Sequence, residues 1–451
     1  MKIRNTVLKA HPATLVLASF LLVILAGTAL LLLPVSTAEG KTTHIIDALF
    51  TATSAVCVTG LTVVDTGTHF SRFGQWMIML LIQVGGLGLM TISVALFQWL
   101  GRGVSIRHRM AMQDIFTHTP RQDIFNLVRS VIFFTLGVEF VGAVFLTISF
   151  LAEFPWLQAG YLGLFHAVSA FCNAGFGLFP DNLMRYSGHW TINLTVCGLI
   201  VIGGIGFPVL YDLRQYVSNR RIKRVRLTIQ TKTVLITTLI LILGGAVMFA
   251  ILERGALSGA PALSHRLLIP LFQSITCRTA GFNTVDIGAL GEATLLVMIF
   301  LMFFGASPGS CGGGVKTTTI ALVSVFTISR IRRRRRVNLF KKSVPTETVS
   351  RSLSLILISI GIISTVLFLM LAEPPSEPKP RALPYLFETV SAFGTVGLSV
   401  GITSSLSFLG KFWIILTMII GRVGVLTFAY IIVGGEPTRG IEHSEENLMI
   451  G

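Results

Sequence analysis

The chain is short of charge. Only 12% of its 451 residues are Asp, Glu, Lys or Arg, against roughly 25% in soluble domains. With a mean hydropathy of +0.77, this excludes an ordinary water-soluble globule and points to a polytopic membrane protein. Cysteine is scarce too: Cys57, Cys172, Cys197, Cys277 and Cys311 show no paired spacing and sit in or beside apolar stretches, which argues against a disulfide framework or a zinc site. Acids number 20 against 36 bases, and they are nearly missing from the apolar stretches. No cluster of His, Asp, Glu or Ser has catalytic spacing, so the chain does not read as an enzyme. A symporter would commonly need ionisable residues near the membrane midplane, and here they are few. No cofactor-binding motif stands out.

The bases that are present fall between apolar runs. Arg102, Arg107, Arg109 and Arg121 form one cluster, residues 214–232 a second, and "RIRRRRR" with Lys341 and Lys342 a third. A net charge of +16 would suit nucleic acid if it were spread over one face with interleaved aromatics, and it is not. These are topology signals. Segments 35–49, 153–165 and 373–386 carry few bases and several acids, so the positive-inside rule puts the clusters, Lys2, Arg4 and Lys9 in the cytoplasm. Both termini then lie inside. Residues 1–38 resemble a cleavable signal weakly through "VSTAEG", but the apolar run 13–33 is longer than a signal core and long enough to span.

Four segments repeat: "FTATSAVCVTGLTVVDT" from Phe50, "FHAVSAFCNAGFGLFPD" from Phe165, "LFQSITCRTAGFNTVDI" from Leu271 and "FETVSAFGTVGLSVGIT" from Phe387. Each has a glycine ten residues after its first: Gly60, Gly175, Gly281 and Gly397, separated by 115, 106 and 116 positions. This divides the chain into units at 1–112, 113–225, 226–345 and 346–451, the last carrying the cytosolic tail. First spans are expected at about 11–34, 126–152, 231–252 and 350–372, and second spans at about 72–100, 189–212, 292–330 and 408–434. The expected fold is all-α, with eight spans and four re-entrant helices around one pore.

The segment before each aligned glycine is only about a dozen residues, or about 18 Å of helix at 1.5 Å per residue, and cannot cross a 30 Å core. Flanked by full spans, it must dip in from outside and return. Its C-terminal carbonyls carry about half a negative charge, and four such ends would attract cations. The chain then returns through Val58, Thr59 and Gly60; Asn173, Ala174 and Gly175; Thr279, Ala280 and Gly281; and Thr395, Val396 and Gly397. Glycine tolerates the backbone angles that turn carbonyls to an axis, and rings of carbonyls replace an ion's hydration shell. The plainer alternative is that these glycines serve only helix packing.

At this point the chain resembles the superfamily of potassium transporters that includes the Ktr, Trk and HKT proteins. "VTGL", "NAGF", "RTAGF" with Asn following, and "SAFGTVGLS" carry the likeness in combination, and it covers nearly the whole chain. With only about ten residues before the first span, it is most similar to the membrane-subunit branch of the Ktr system, KtrB. The resemblance implies a single-chain pore, a homodimer embedded in membrane lipid, and a cytosolic KtrA-like ring that holds the nucleotide (ATP or ADP). Four filter glycines go with potassium selectivity in that family, and some plant relatives with serine in the first unit favour sodium. Sodium-dependent uptake is a further suggestion of the family. A sodium-selective or ion-coupled symporter of the same superfamily is the alternative.

Second spans carry small-residue patches, "GGLG" at 85–88, "GGIG" at 203–206 and "GRVG" at 421–424, expected to let the spans cross closely under the filter. In the third unit this place holds "GASPGSCGGGVKTTT" from Gly305. Gly305, Ser307, Pro308, Gly309, Gly312, Gly313, Gly314 and Lys316 make it a candidate gate: irregular backbone at membrane depth is tolerated where it lines a cavity. A static packing kink is the alternative. Arg422 stands where the other patches have Gly86 and Gly204, and a charge so deep costs roughly 2.5–3.5 kcal/mol. It is expected to project under the filter, bond the loop backbone and oppose cations, as an arginine in this motif does in the family; an interhelical hydrogen bond is the alternative. Glu139 is read as a polar anchor or a proton-relay carboxylate, His166 and Asn173 as braces behind the second filter, Arg278 as a support for filter backbone, and the arginine run as a topology anchor in contact with lipid.

Overall fold

The computed structural model describes residues 12–88, 124–219, 226–258, 262–334, 336–373, 382–425 and 427–428. The first basic cluster and the C-terminal tail lie outside the described residues. At the places expected for first spans stand the apolar helices α1 (Pro12–Leu31), α4 (Ile124–Phe150), α8 (Ile229–Leu252) and α12 (Thr346–Ala372). The segments Arg129–Phe150, Ile229–Leu252 and Thr346–Ala372 are each long and apolar enough to cross a membrane. Their outer faces stay apolar and exposed, as at Phe140, Ile240, Leu357 and Phe368. Such a surface suits hydrocarbon rather than water.

Between first and second spans lie the short helices α2 (Ile45–Val56), α5 (Trp156–Phe171), α9 (Leu263–Thr276) and α13 (Ala382–Gly394). The longest has 16 residues, about 24 Å, still short of a hydrocarbon core. They form the centre of the molecule. Phe50, Phe165, Phe272 and Phe387 are fully buried, packing these helices into the surrounding bundle.

At the places expected for second spans stand α3 (Arg72–Leu87), α6 (Trp190–Ile205) and α14 (Phe408–Val423), and in the third α10 (Glu292–Phe303) and α11 (Thr317–Ile331). Here the structure departs from the expectation of unbroken spans interrupted only in the third unit. α3, α6 and α14 all stop at a glycine of positive φ: Gly88 at 81°, Gly206 at 97° and Gly424 at 98°. This last residue of each small-residue patch combines a positive φ with a ψ of 129–141°, a backbone shape that glycine alone adopts readily. In the second unit the chain resumes as α7 (Phe207–Asn219), bent by 96° from α6. The second unit's break is a single residue, so among the described residues the third unit differs from it in the length of its break, not in having one.

The first and last quarters of the chain meet. Lys411 of α14 donates to Asp47 at the start of α2 at 2.8 Å, with both side chains largely covered.

Candidate ion filter and gate

Just beyond each short helix the backbone adopts one unusual pattern four times. Val58, Asn173, Thr279 and Thr395 have φ of 56°, 60°, 70° and 49°; two residues on, Gly60, Gly175, Gly281 and Gly397 have φ of 94°, 70°, 81° and 93°. The residue between keeps a negative φ. In a strand successive groups face opposite sides, whereas alternating the sign of φ turns successive carbonyls the same way. The three β-branched residues among the leading four are true outliers in this region, and such strain costs of order 1–3 kcal/mol per residue. All eight intervening side chains, from Val58 to Val396, are buried, so backbone rather than side chain is turned to the middle.

The four segments close on each other in order. A methyl carbon placed on Gly60 would strike the Ala174 carbonyl oxygen and come 3.0 Å from Gly175 Cα; on Gly175 it would lie 2.7 Å from Ala280 O; on Gly281, 2.5 Å from Val396 O; on Gly397 it would strike Thr59 O and come 3.0 Å from Gly60 Cα. Each glycine faces the carbonyl just before the next. The result is a closed ring that no side chain could enter.

Hydrogen bonds hold the ring from behind. Gly60 N–H donates to Ser54 Oγ at 3.0 Å and Gly397 N–H to Ser391 Oγ at 3.1 Å, while Thr59, Ala174 and Val396 donate to the carbonyls of Ser54, Ser169 and Ser391 at 2.7–2.8 Å. The third unit has Ile275 at the matching place and uses Thr276 Oγ1, which donates to Phe282 O at 2.6 Å. Farther out, the residue three beyond the glycine is tied to a buried side chain on the short helix. His166 Nε2 accepts from Leu178 N at 3.3 Å, Glu388 accepts from Val400 N at 3.2 Å, and Gln273 donates to Thr284 Oγ1 at 3.2 Å. Glu388 also accepts from Thr403 at 2.9 Å and from Ser399. His166 thus braces the second segment as expected. Glu388, Gln273 and the three serines were not singled out from sequence, although "SA" recurs at one place in three of the four aligned segments.

Asn173 turns its amide so that it donates to the carbonyls of Ala170, Phe171 and Ile200 at 3.2–3.3 Å and accepts from Thr279 Oγ1 at 3.3 Å. This joins the second segment to the third. Glu139 has two partners: Gln83 Nε2 donates to it at 3.1 Å and Cys172 Sγ at 3.7 Å. It ties α4 to α3 and to the end of α5.

The small-residue patches do something other than let second spans cross. A Cβ on Gly85, Gly203 or Gly421 would strike the carbonyl of Val56, Phe171 or Phe393, so each patch seats its span on the last turn of a short helix, directly under the ring. In the third unit, Gly305 packs against Arg278 and Thr279.

From there residues 305–316 run beneath the ring and bond to residues of the second, third and fourth segments of the chain. Gly313 N donates to Thr395 Oγ1 at 2.8 Å, Gly314 N to Gly421 O at 3.2 Å, and Gly309 O accepts from Phe207 N at 3.1 Å. Ser307 pairs with Thr317 at 3.0 Å and Lys316 Nζ donates to Gly312 O at 2.7 Å. Pro308 contributes its carbonyl opposite Gly206. Arg422 donates to the carbonyls of Cys311 in the loop and Gly85 in α3. Arg278 corrects an expectation: it donates to Gly305 O and Thr238 Oγ1, both at 3.2 Å, anchoring the start of the loop rather than filter backbone.

On the side away from residues 305–316 the glycine ring opens into a ≈ 250 Å³ vestibule bordered by Asp65, Asp181, Asn283 and Ser399. Asp181 is clasped by Arg185 at 2.8 Å, whose hydrogen bonds hold its carboxyl below the usual range.

Four glycine segments thus close on one another above residues 305–316, within a helical bundle whose outer faces are apolar. The sequence profile of the TrkH family of cation transport proteins matches residues 3–435, and the chain belongs to that family; it is a multi-pass membrane transport protein, not an enzyme. It is 41% identical to the Ktr system potassium uptake protein B of Vibrio alginolyticus over 98% of this chain and 96% of the relative. Identity is 40% to the protein of that name from Bacillus subtilis, over 93% and 92%, and 36% to the potassium/sodium uptake protein NtpJ of Enterococcus hirae, over 98% of each. The crystal structure of the potassium transporter TrkH from Vibrio parahaemolyticus shares the fold, with a TM-score of 0.70 at 19% identity over 93% of this chain and 85% of that one.

Proposed function

We propose that this chain is the pore-forming subunit of a Ktr-type system and takes up potassium through the glycine ring. The observation that carries this reading is the cyclic closure of Gly60, Gly175, Gly281 and Gly397, each against the carbonyl preceding the next. A dehydrated monovalent cation needs several oxygens at once, and four segments with carbonyls turned one way supply them. Val58, Thr59, Asn173, Ala174, Thr279, Ala280, Thr395 and Val396 complete the filter. The Ktr relatives support potassium as the ion.

In this reading the chain comprises four membrane–pore–membrane units with eight spans and cytoplasmic termini. The loop from Gly305 to Lys316 is the gate. Arg422 places positive charge under the filter and fastens the loop to α3, so ions pass when that fastening is released. The names of the Ktr relatives speak of a system, which supports a cytosolic regulatory partner; a KtrA-like nucleotide-binding ring, a homodimeric membrane part and sodium dependence belong to the proposal.

The test is flux into vesicles holding the purified chain, potassium against sodium, with and without the cytosolic partner. Potassium-selective flux that the partner increases is expected. Flux indifferent to potassium, or none with every partner present, overturns the assignment. Equal or greater sodium flux establishes the sodium-transporting alternative.

A further inference from the structure

We propose that a second site, on the basic side of the bundle and away from the ion path, holds the headgroup of an anionic phospholipid. A ≈ 540 Å³ pocket lies at the start of α8, bordered by Arg226, Lys232 and Lys342, with Leu227, Ile229 and Phe340 as its apolar walls. Among the described residues no carboxylate lies within ion-pairing distance of the three cations. The nearby Asp212 is engaged by Thr228 on the pocket's edge, accepting from its N and Oγ1 at 3.0 Å.

Two features favour a lipid. Lys232 is the fourth residue of the membrane-crossing helix, about 4.5 Å inside its first residue, where headgroups meet acyl chains and a lysine can extend its amine to phosphate. Its ammonium stands 5.9 Å from the centre of the Phe340 ring. Cations over apolar walls match the two ends of a phospholipid, whereas a soluble anion has no use for the walls.

The second feature is the turn that brings Phe340 and Lys342 there. Asn338–Leu339 and Lys342–Ser343 pair antiparallel, joined by Phe340 and Lys341 at φ of 48° and 66°. Two left-handed residues in a hairpin turn normally call for Asn and Gly; a phenylalanine and a lysine there carry strain. The hairpin base is pinned by Val337 and Leu339 against Leu322 and Val349 of α11 and α12, so the strained tip is held over the pocket. Basic pockets between membrane helices on the cytoplasmic side suit acidic headgroups. The inference needs α8 to cross the membrane and is independent of the ion path.

Native mass spectrometry of the full chain, titrated with phosphatidylglycerol, phosphatidylcholine or inorganic phosphate, tests it. One phosphatidylglycerol per chain should be retained in preference to phosphatidylcholine, and Lys342→Gln and Lys232→Gln should each weaken it by about fivefold. Lys342 is exposed on the second strand of the hairpin, so its variant folds, and unchanged ion uptake in that variant checks this. Unchanged phosphatidylglycerol retention in both variants, equal retention of phosphatidylcholine, or displacement by an equal concentration of phosphate overturns the proposal. Loss of a cytosolic protein partner in the variants without loss of lipid does so as well.

Discussion

Arg422 of α14 donates to the carbonyl of Cys311 in the loop beneath the ring, and its second amine reaches Gly85 O on α3. One guanidinium thus binds the fourth unit to the first and holds the crossing backbone between them. An alanine at 422 frees both carbonyls and removes the charge. In a host deficient in potassium uptake, Arg422→Ala should raise the uptake rate severalfold, an effect of about 1 kcal/mol on the barrier. Deleting residues within 305–314 should raise it too, and the two changes together should add little to either. Unchanged rates in correctly inserted protein would leave the loop a packing element.

At the ring the prediction is graded by geometry. Gly60→Ala and Gly397→Ala put a methyl group into the carbonyls of Ala174 and Thr59, and both positions have a φ above 90°. Each should cut potassium uptake by about tenfold or more, or roughly 1.4 kcal/mol of lost transition-state stabilisation. Gly137→Ala on α4, where nothing lies within 4 Å of the new carbon, should be silent. Uptake assays on the three variants, with membrane abundance measured alongside, check this. Equal effects at Gly60 and Gly137 would rule out the ring as the constriction.

The central architecture was legible because its signals are local. Apolar length marks α4, α8 and α12, and the recurrence of a glycine ten residues into each segment marks Gly60, Gly175, Gly281 and Gly397. What remained hidden depends on partners distant in the chain. "GGIG" shows small residues but not that Gly203 seats on the Phe171 carbonyl, nor that Gly206 ends the helix with a 96° bend. Arg278 gives no sign in its own segment that its partners are Gly305 and Thr238. The positive φ of Thr279 and Thr395 contradicts their local preference, so propensity points away from the conformation that the surrounding ring imposes.

On the outer loops, His69 offers a pH test. Burial, followed by the nearby Lys41, lowers its pKa from the ordinary 6.5, and its Nε2 stands 2.9 Å from Thr43 Oγ1. The unfolded chain therefore binds the proton more readily than the folded one, so stability is present above pH 6.5 and falls as pH drops through the folded value. Thermal unfolding from about pH 5 to pH 8 should show wild type losing stability relative to His69→Gln on the acid side. Parallel curves would mean that His69 titrates as it does in water.

Glu388 supplies the last test, because its carboxylate braces the fourth segment. It accepts from Val400 N, Ser399 and Thr403, and replacing it with leucine leaves Val400 N and Ser399 without that acceptor, at about 1–3 kcal/mol for each that stays buried, while Thr403 keeps Ser399 Oγ at 2.9 Å. Glutamine keeps one acceptor oxygen. Glu388→Leu should lower the potassium-to-sodium permeability ratio as the outer end of the segment loosens, Glu388→Gln should lie between it and wild type, and His166→Leu should repeat the effect in the second segment. The first unit has Thr51 at the matching place, bonded to Asp47 O of its own helix at 2.8 Å, so Thr51→Ala should leave the ratio unchanged. A drop in thermal stability with an unaltered ratio in the Glu388 and His166 variants would make the braces structural supports with no part in selectivity.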